Sequence, residues 1–376
     1  MRWLVPILAV MLSACGAAQV VPKAQKPQLA LSPRNDLMRI HFIDVGQGLS
    51  ALVEFPCGAM LIDAGGEDNP GADSNERLQA YLDAFFARRT DLNRTLDLLA
   101  LTHPHIDHTR GVSLLLEHFR IKSAIDNGMA SGSGGPQQGE LHQFAEEHKT
   151  GKNPVTYHAI ALEDIRDPKG LTDEVIDPIR CPDIDPQIHV LWGQVAKDPG
   201  WPGMRFNKTP FQNANNHSLV LRVDFGKASA LFTGDLEEYA IKDLVARTAG
   251  TGALNVDVYQ VGHHGSHNGT TPELVAAMTP EIAVIPMGEE RRHDQWSAWK
   301  YGHPRQEIVT MLEAGITRKR QATRVKVGVS GEHFEWHPLE AAIYGTGWDG
   351  TVVVEAEADG RMHVVTQAQA NAAAHR

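Results

Sequence analysis

The stretch "LTHPHIDHTRG", Leu101 to Gly111, sets His103, His105, Asp107 and His108 within six positions, directly after an apolar run. Imidazole and carboxylate are the side chains that hold borderline divalent cations, and a metal site needs several of them at one point. Alternate histidines on a loop can face one ion, while the Asp-His pair beyond them faces a second. A lone histidine is usually a satisfied structural residue, but a solvated loop has no use for four ligand-type groups at this density. The chemistry such a cluster supports is attack by a metal-activated water on phosphorus or a carbonyl, with Asp107 orienting that nucleophile.

Such a cluster has to be positioned by strands. At 376 residues, with 42% apolar and 22% charged residues, the chain has the composition of an ordinary globular protein rather than a disordered, fibrous or polytopic membrane one. "LMRIHFIDVGQG", "SALVEF" and "AMLIDAGG" read as a β-meander punctuated by Gly and Pro. From Asn75 to Arg89 the apolar residues Leu78, Tyr81, Leu82, Phe85 and Phe86 recur at helical spacing. "LDLLALTH" is a buried strand with the histidine motif at its carboxyl end, and "GVSLLLEHF" a helix. From about 126 to 185 the pattern weakens into a Gly/Ser loop and an acidic, proline-broken stretch, read as an insertion rather than a domain. Strands return at "IHVLWG", "SLVLRVDF", "ASALFTGD", "VDVYQVGHHGS" and "EIAVIPMG", interleaved with helices at "LEEYAIKDLVARTA", behind the Thr271 cap with Pro272, and at "PRQEIVTMLEAG". Two strands around a turn close the chain. This order suits an α/β (α+β) fold: two sheets covered by helices, an αββα sandwich with polar residues collected at one edge.

His103, His105, Asp107 and His108 match the HxHxDH signature in full, and on it the chain resembles the metallo-β-lactamase superfamily. "IDVGQG", "LIDAGG", "LTHPHIDHTRG", "NNHSLVLRV", "LFTGD", "VGHHGS" and "YGHP" follow the order of the extracellular hydrolase domain of ComEC-type competence proteins. The likeness covers most of Met38 to Gly315 apart from the insertion, and it is to the hydrolase part alone. It implies a metallo-β-lactamase-like domain over 37–376 and two divalent ions, Zn2+ first with Mn2+ as the alternative. It makes Asp235 the carboxylate between the ions, and either His263 or His264 a ligand while the other orients a ligand or the substrate. Asp63 stands behind the ligands rather than among them. His303 reaches the leaving group or caps the following helix. Two positions depart from the pattern. "NANNHS" stands where the superfamily's hydrolases have a third histidine for the first metal, so His217 is either that ligand or an exposed strand-start residue. Leu49 stands where ComEC-like sequences usually carry Asp.

The N-terminus, "MRWLVPILAVMLSAC", has basic Arg2, apolar Leu4 to Leu12 and small residues before Cys15. Its "LSAC" ending resembles a bacterial lipobox. That implies a signal over 1–15, lipid on Cys15, a tether over 16–36, and a protein exported and attached to an envelope membrane; a plain signal peptide or short anchoring helix is the alternative. Cys57 and Cys181 remain, either paired or as two separate buried thiols. A net charge of −11 excludes coating nucleic acid by general electrostatics, so any such contact is a local groove. The run "ITRKRQATRVK", with Arg318, Lys319, Arg320, Arg324 and Lys326, is either that phosphate contact or a solvated face. The family likeness points to a phosphodiester in extracellular nucleic acid. The competing readings are hydrolysis of a small ester, lactone or lactam, and a lipoprotein that binds DNA or an envelope partner without turnover.

Overall fold

The computed structural model describes residues 29, 31–32, 34–204 and 207–374. The expected signal, Cys15 and most of the expected tether lie outside the described residues.

Successive side chains of a strand point to opposite faces of its sheet, so a sheet covered on both sides is apolar at consecutive positions. Strand Ala59–Ile62 is of this kind. Met60 and Ile62 enter a core between two sheets, while Ala59 and Leu61 enter a second cluster with Leu78, Leu82, Phe85 and Phe86. Those last four line one face of helix Ser74–Arg88, whose first turn is capped by the Asp73 carboxylate. Across the middle core the sheets meet through aromatic pairs, Phe42 on Phe232 at 6.1 Å and Phe55 near Phe225 at 6.4 Å. Ile241, Leu244, Leu274, Ile308 and Leu312, from helices Glu238–Thr248, Pro272–Met278 and Gln306–Gly315, extend this core around the second sheet. The result is helix, sheet, sheet, helix, as the order of elements predicted.

The first sheet has eight strands in the order Met362–Thr366, Val352–Ala356, Met38–Phe42, Ala51–Glu54, Ala59–Ile62, Thr95–Ala100, Arg120–Asp126, Thr156–Ala159. The second has six: Ile343–Gly345, Ile282–Ile285, Val258–Gln260, Ala228–Phe232, Val220–Phe225, Gln187–Trp192. Each begins as an antiparallel meander and changes to parallel pairing, from Ala59–Ile62 onward in the first and from Ala228–Phe232 onward in the second. Parallel strands end on one side. Each sheet therefore gathers consecutive carboxyl-terminal loops along one edge.

Three features go beyond the sequence reading. The 126–185 segment contains a helix, Gly135–Glu147, which starts with a proline in its first turn and buries Leu141 and Ala145, and an edge strand, Thr156–Ala159. The glycines ahead of that helix mask it in the sequence. Cys57 and Cys181 form a disulfide with Cα atoms 5.5 Å apart, joining the end of this segment to a turn of the first sheet. The basic run lies in a strand, Lys319–Ser330, paired with His333–Ala341 in a hairpin separate from both sheets.

The helix Ser74–Arg88 is fixed to the first sheet by a buried charge. Glu54 Oε1 accepts from Arg88 Nη1 at 2.9 Å and Arg89 Nη1 at 2.8 Å, and Oε2 accepts from Arg88 Nη2 at 2.6 Å. Tyr81 donates its hydroxyl proton to His41 Nδ1 at 2.7 Å, which leaves the His41 Nε2–H for Glu54 at 3.3 Å. Burial disfavours the charged carboxyl, yet His41 and Arg88 hold Glu54 far below the ordinary carboxylate range. Its stabilising effect is thus complete at neutral pH and is lost as the pH falls below about 4. Glu54→Gln leaves buried Arg39 and Arg89 with only Glu355 and Asp91 as counter-charges. Urea unfolding at pH 7 is expected to show a loss of about 3 kcal/mol, shrinking toward zero in acid.

Candidate metal centre

Four strand ends deliver the side chains. Asp63 follows Ala59–Ile62, Thr102 to His108 follow Thr95–Ala100, Asp235 follows Ala228–Phe232, and His263 and His264 follow Val258–Gln260. The loop carrying Asp107 is drawn against the first sheet by backbone bonds from Leu49 N to Asp107 O at 3.1 Å and Ala64 N to His108 O at 2.8 Å. Contact is so close that a Cβ on Gly65 would lie 1.7 Å from the Asp107 carbonyl oxygen, which explains the first glycine of "DAGG". His263 and His264 have left-handed φ values of 50° and 55°, a conformation costing about 1–3 kcal/mol per non-glycine residue, retained where structure overrides it. It turns both rings toward the loop ends.

Asp107, His108, Asp235 and His264 each offer a ligand atom, and these atoms all lie within 4.8 Å of one another. His108 Nε2 is 3.2 Å from Asp235 Oδ1, and His264 Nε2 is 3.3 Å from Asp107 Oδ2 and 3.4 Å from Asp235 Oδ2. Each ring is held from behind. His108 Nδ1–H donates to Asp63 Oδ2 at 2.6 Å, and His264 Nδ1–H donates to the Pro286 carbonyl at 2.7 Å. Asp63 is itself fixed by Thr102, whose N–H and hydroxyl both donate to it at 2.7 Å. Partners of this kind set the tautomer so that Nε2 faces a cation. His108 Nε2, His264 Nε2 and Asp235 Oδ1 are buried with no hydrogen-bond partner. Unsatisfied buried polar atoms are costly, and a nitrogen and oxygen set converging on one point fits a divalent ion.

Electrostatics agree with that fit. Burial favours a neutral Asp235, but His108, His264 and His263 hold it well below the usual carboxylate range. Burial alone would lower His264, yet Asp235 and Asp107 raise it to about 10. The pocket therefore calls for positive charge at its centre. Beside it, burial and the neighbouring His108 and His105 push His103 well below the ordinary imidazole value, into the neutral form that binds metal. His103 Nε2 and His105 Nδ1 face each other at 3.1 Å, and the His103 ring centre lies 4.3 Å from that of His108.

Residues 43–289 match the model of the metallo-beta-lactamase superfamily. The chain belongs to this superfamily. Among curated proteins it is similar to ComE operon protein 3 of Bacillus subtilis (28% identity over 73% of this chain) and Recombination protein 2 of Haemophilus influenzae (25% over 70%). It spans 30% and 25% of the length of those two relatives. Among solved structures it is similar to the metallo-β-lactamase fold protein YhfI of Bacillus subtilis, at 11% identity, over 75% of this chain and 94% of that one, with a TM-score of 0.41. As a metallo-β-lactamase superfamily member the chain is a metal-dependent hydrolase, and the ComEC-type likeness read from its motifs agrees with the two curated relatives.

Within this superfamily frame, one candidate ligand is turned to other partners. His217 receives the Val195 N–H on Nδ1 at 3.0 Å and donates Nε2–H to the Phe211 carbonyl at 2.7 Å, so both ring nitrogens are spent on backbone and neither remains for a metal. It is neither a ligand nor exposed, but a buried residue shaping its own loop. Leu49 is likewise buried in the core. His263 is the more peripheral of the late pair: its Nε2 lies 3.7 Å from Asp235 Oδ2, and its Nδ1 faces Asn268 Oδ1 at 3.1 Å and Glu237 Oε1 at 3.6 Å. His303 does not cap the helix after Pro304, where Arg305 is the cap residue without a side-chain bond. Its ring lies instead 5.9 Å from His263, stacks on Tyr301 at 5.4 Å, and holds Gln47 Nε2 at 3.1 Å from Nδ1.

The sequence reading missed Thr102, Gln47, Asn215 and Glu237. Asn215 donates Nδ2–H to Glu237 Oε1 at 2.9 Å and lies 3.5 Å from His263 Nε2, with its Oδ1 buried and unpartnered. The polar Gln47 between two glycines was the most visible of these signals. Asp63→Ala is expected to lower metal affinity about 10–100-fold in a chelator competition, through loss of the His108 orientation. His217→Ala should leave the metal stoichiometry of dialysed protein unchanged.

Proposed function

We propose that this hydrolase is a phosphodiesterase of the ComEC-like group, acting on nucleic acid outside the cytoplasm and bound to an envelope membrane by lipid on Cys15. In this reading 1–15 is a signal, 16–36 a tether and 37–376 one catalytic unit. Among the described residues no helix is long and apolar enough to cross a membrane. The observation that carries the proposal is the convergence of Asp107, His108, Asp235 and His264 on one point, in a chain whose relatives are named for the ComE operon and for recombination.

His108, His264, Asp107 and Asp235 would hold one divalent ion, and His103 and His105, with Asp235 shared, a second; Zn2+ suits the imidazoles and Mn2+ the carboxylates. When bound, such ions lower the pKa of a coordinated water and offset the charge developing on phosphorus. Asp107, whose side chain is 32% exposed, is the member of the cluster that faces the substrate side and orients the attacking water. Asp63 and the Pro286 carbonyl keep the His108 and His264 lone pairs directed inward. The Gly288 N–H donates to Gln47 Oε1 at 3.1 Å, which turns the amide so that Nε2–H donates to His303 Nδ1. Burial keeps that imidazole neutral with its proton on Nε2, so it can donate a hydrogen bond to the leaving oxygen without transferring the proton.

The second reading is a binder that retains the fold without turnover. It is favoured by His217, whose removal from the site leaves the His103–His105 pair without a third histidine. One preparation separates the two. Mature protein is expected to contain bound transition metal and to hydrolyse bis-p-nitrophenyl phosphate, with His105→Ala or Asp107→Ala abolishing turnover but not the folded circular-dichroism spectrum. Metal-free, inactive protein that still binds DNA supports the binder instead. Turnover of nitrocefin without any phosphodiester cleavage would point to a lactam.

A further inference from the structure

The basic run divides in the structure. Arg318 pairs with Glu281 at 3.1 Å and Arg320 with Asp349 at 2.6 Å, so both are structural. Arg324 and Lys326 make no ion pair among the described residues; instead they lie 5.4 and 4.8 Å from the ring centre of Trp336, which is 55% exposed on the opposite strand of the hairpin. This group lines a cavity of about 500 Å³ whose far wall includes Trp348. Trp348 is tied to the hairpin by a bond from Nε1 to the Lys326 carbonyl at 3.0 Å. The hairpin lies beyond the residues matched to the superfamily model.

The cavity's position gives it a role. Trp348 sits just after strand Ile343–Gly345, which runs parallel to Ile282–Ile285, Val258–Gln260 and Ala228–Phe232. Its carboxyl end therefore opens on the same edge as His264 and Asp235, two and three strand spacings, or ~10 and ~14 Å, along. The two places are also linked by contact. Gly347 packs so tightly on Gly288 that a Cβ there would lie 2.2 Å from the Gly288 oxygen, and Gly288 in turn holds Gln47, which holds His303.

We infer that the hairpin cavity is a second contact site for the same substrate: it takes a single-stranded nucleic acid a few nucleotides from the scissile bond. A base stacks on Trp336, and the adjoining phosphates meet Arg324 and Lys326. This rests on the phosphodiesterase reading for its substrate class. An exposed indole beside cations that no carboxylate neutralises is the combination that holds a single strand without reading its sequence, since every base has a π-face and every step a phosphate. On a chain of net charge −11 the two cations are a local exception, and a concave site fits a nucleotide better than the flat surface of a bilayer. Four carboxylates also line the cavity: Asp44, Glu289 and Asp349 are offset by Arg77, Arg291 and Arg320, while Glu290 opposes an anion there.

The test is fluorescence anisotropy of a labelled, phosphorothioate-linked oligothymidylate on metal-loaded full chain, with the thymidine dinucleotide as competitor. Wild type is expected to bind the oligonucleotide at least about tenfold tighter than the dinucleotide, since one stacked base contributes about 1–3 kcal/mol. Trp336→Ala should cost about tenfold and Trp336→Phe much less, while Glu290→Gln tightens binding. Arg324→Gln with Lys326→Gln should reduce the slope of log affinity against log salt by about 1.4, the value for two single-strand phosphates. Unchanged affinity and slope in these variants, or equal affinity for duplex, overturns the inference. Loss of binding to phosphatidylglycerol vesicles with oligonucleotide binding intact overturns it in favour of a membrane surface. If wild type cleaves diesters yet binds the oligonucleotide no better than the dinucleotide, the phosphodiesterase reading survives and the second site does not. If the variants lose the oligonucleotide while no diester is ever cleaved, the nucleic-acid surface stands and the catalytic reading falls.

Discussion

The structure depends on a carboxylate held where water cannot reach it. Asp235 is 2% exposed and ringed by imidazoles from two different strand ends, and a buried charge persists only if opposite charge or directed hydrogen bonds are built around it. That requirement orders the rest. His108 and His264 must present their Nε2 atoms inward, so Asp63 and the Pro286 carbonyl take the other face of each ring. Asp63 must not move, so Thr102 holds both its oxygens. The Asp107 loop must lie against the first sheet, so Gly65 has no side chain. None of these residues is a neighbour of Asp235 in sequence; each is there because of what the carboxylate needs.

The switch from antiparallel to parallel pairing in each sheet provides the geometry. A meander alternates its loops between two edges and could bring only every second one to the centre. Parallel crossovers put consecutive loops on one edge, and face-to-face packing of the two sheets through Phe42, Phe232, Phe55 and Phe225 brings the two edges together. The ligands are held by β-scaffold on both sides, and the Glu54 cluster secures the outer helix to that scaffold. This rigidity suits a site whose atoms must lie within a few tenths of an ångström of a coordination geometry.

Away from the centre the chain is built differently. The 126–185 segment adds a helix and an edge strand and is joined to the first sheet by the Cys57–Cys181 disulfide, and the hairpin from Lys319 to Ala341 stands apart from both sheets. Between centre and hairpin runs a short chain of contact, His303 to Gln47 to Gly288 to Gly347, that makes the His303 side of the site and the hairpin cavity parts of one wall.

Much of this was legible in the residues. Short apolar runs bounded by Gly and Pro marked the strands, helical spacing marked Ser74–Arg88 to within a residue, and the density of ligand types in "HPHIDH" marked the centre, because local chain geometry and coordination chemistry act over a few positions. The helix Gly135–Glu147 was masked by the glycines ahead of it, and its stability comes from Leu141 and Ala145 meeting the rest of the fold. His217 illustrates the limit most plainly: its type and its place in the motif order suited a ligand, but the direction of an imidazole is set by which donors and acceptors surround it, here the Val195 N–H and the Phe211 carbonyl. The pairing of Cys57 with Cys181, the arrangement of His264 inside and His263 outside, and the separation of Arg324 and Lys326 from Arg318 and Arg320 were decided in the same way. The sequence by itself determined which groups were available and on which elements they would ride; tertiary structure decided which of them meet, because convergence is a property of distances between segments that are remote along the chain.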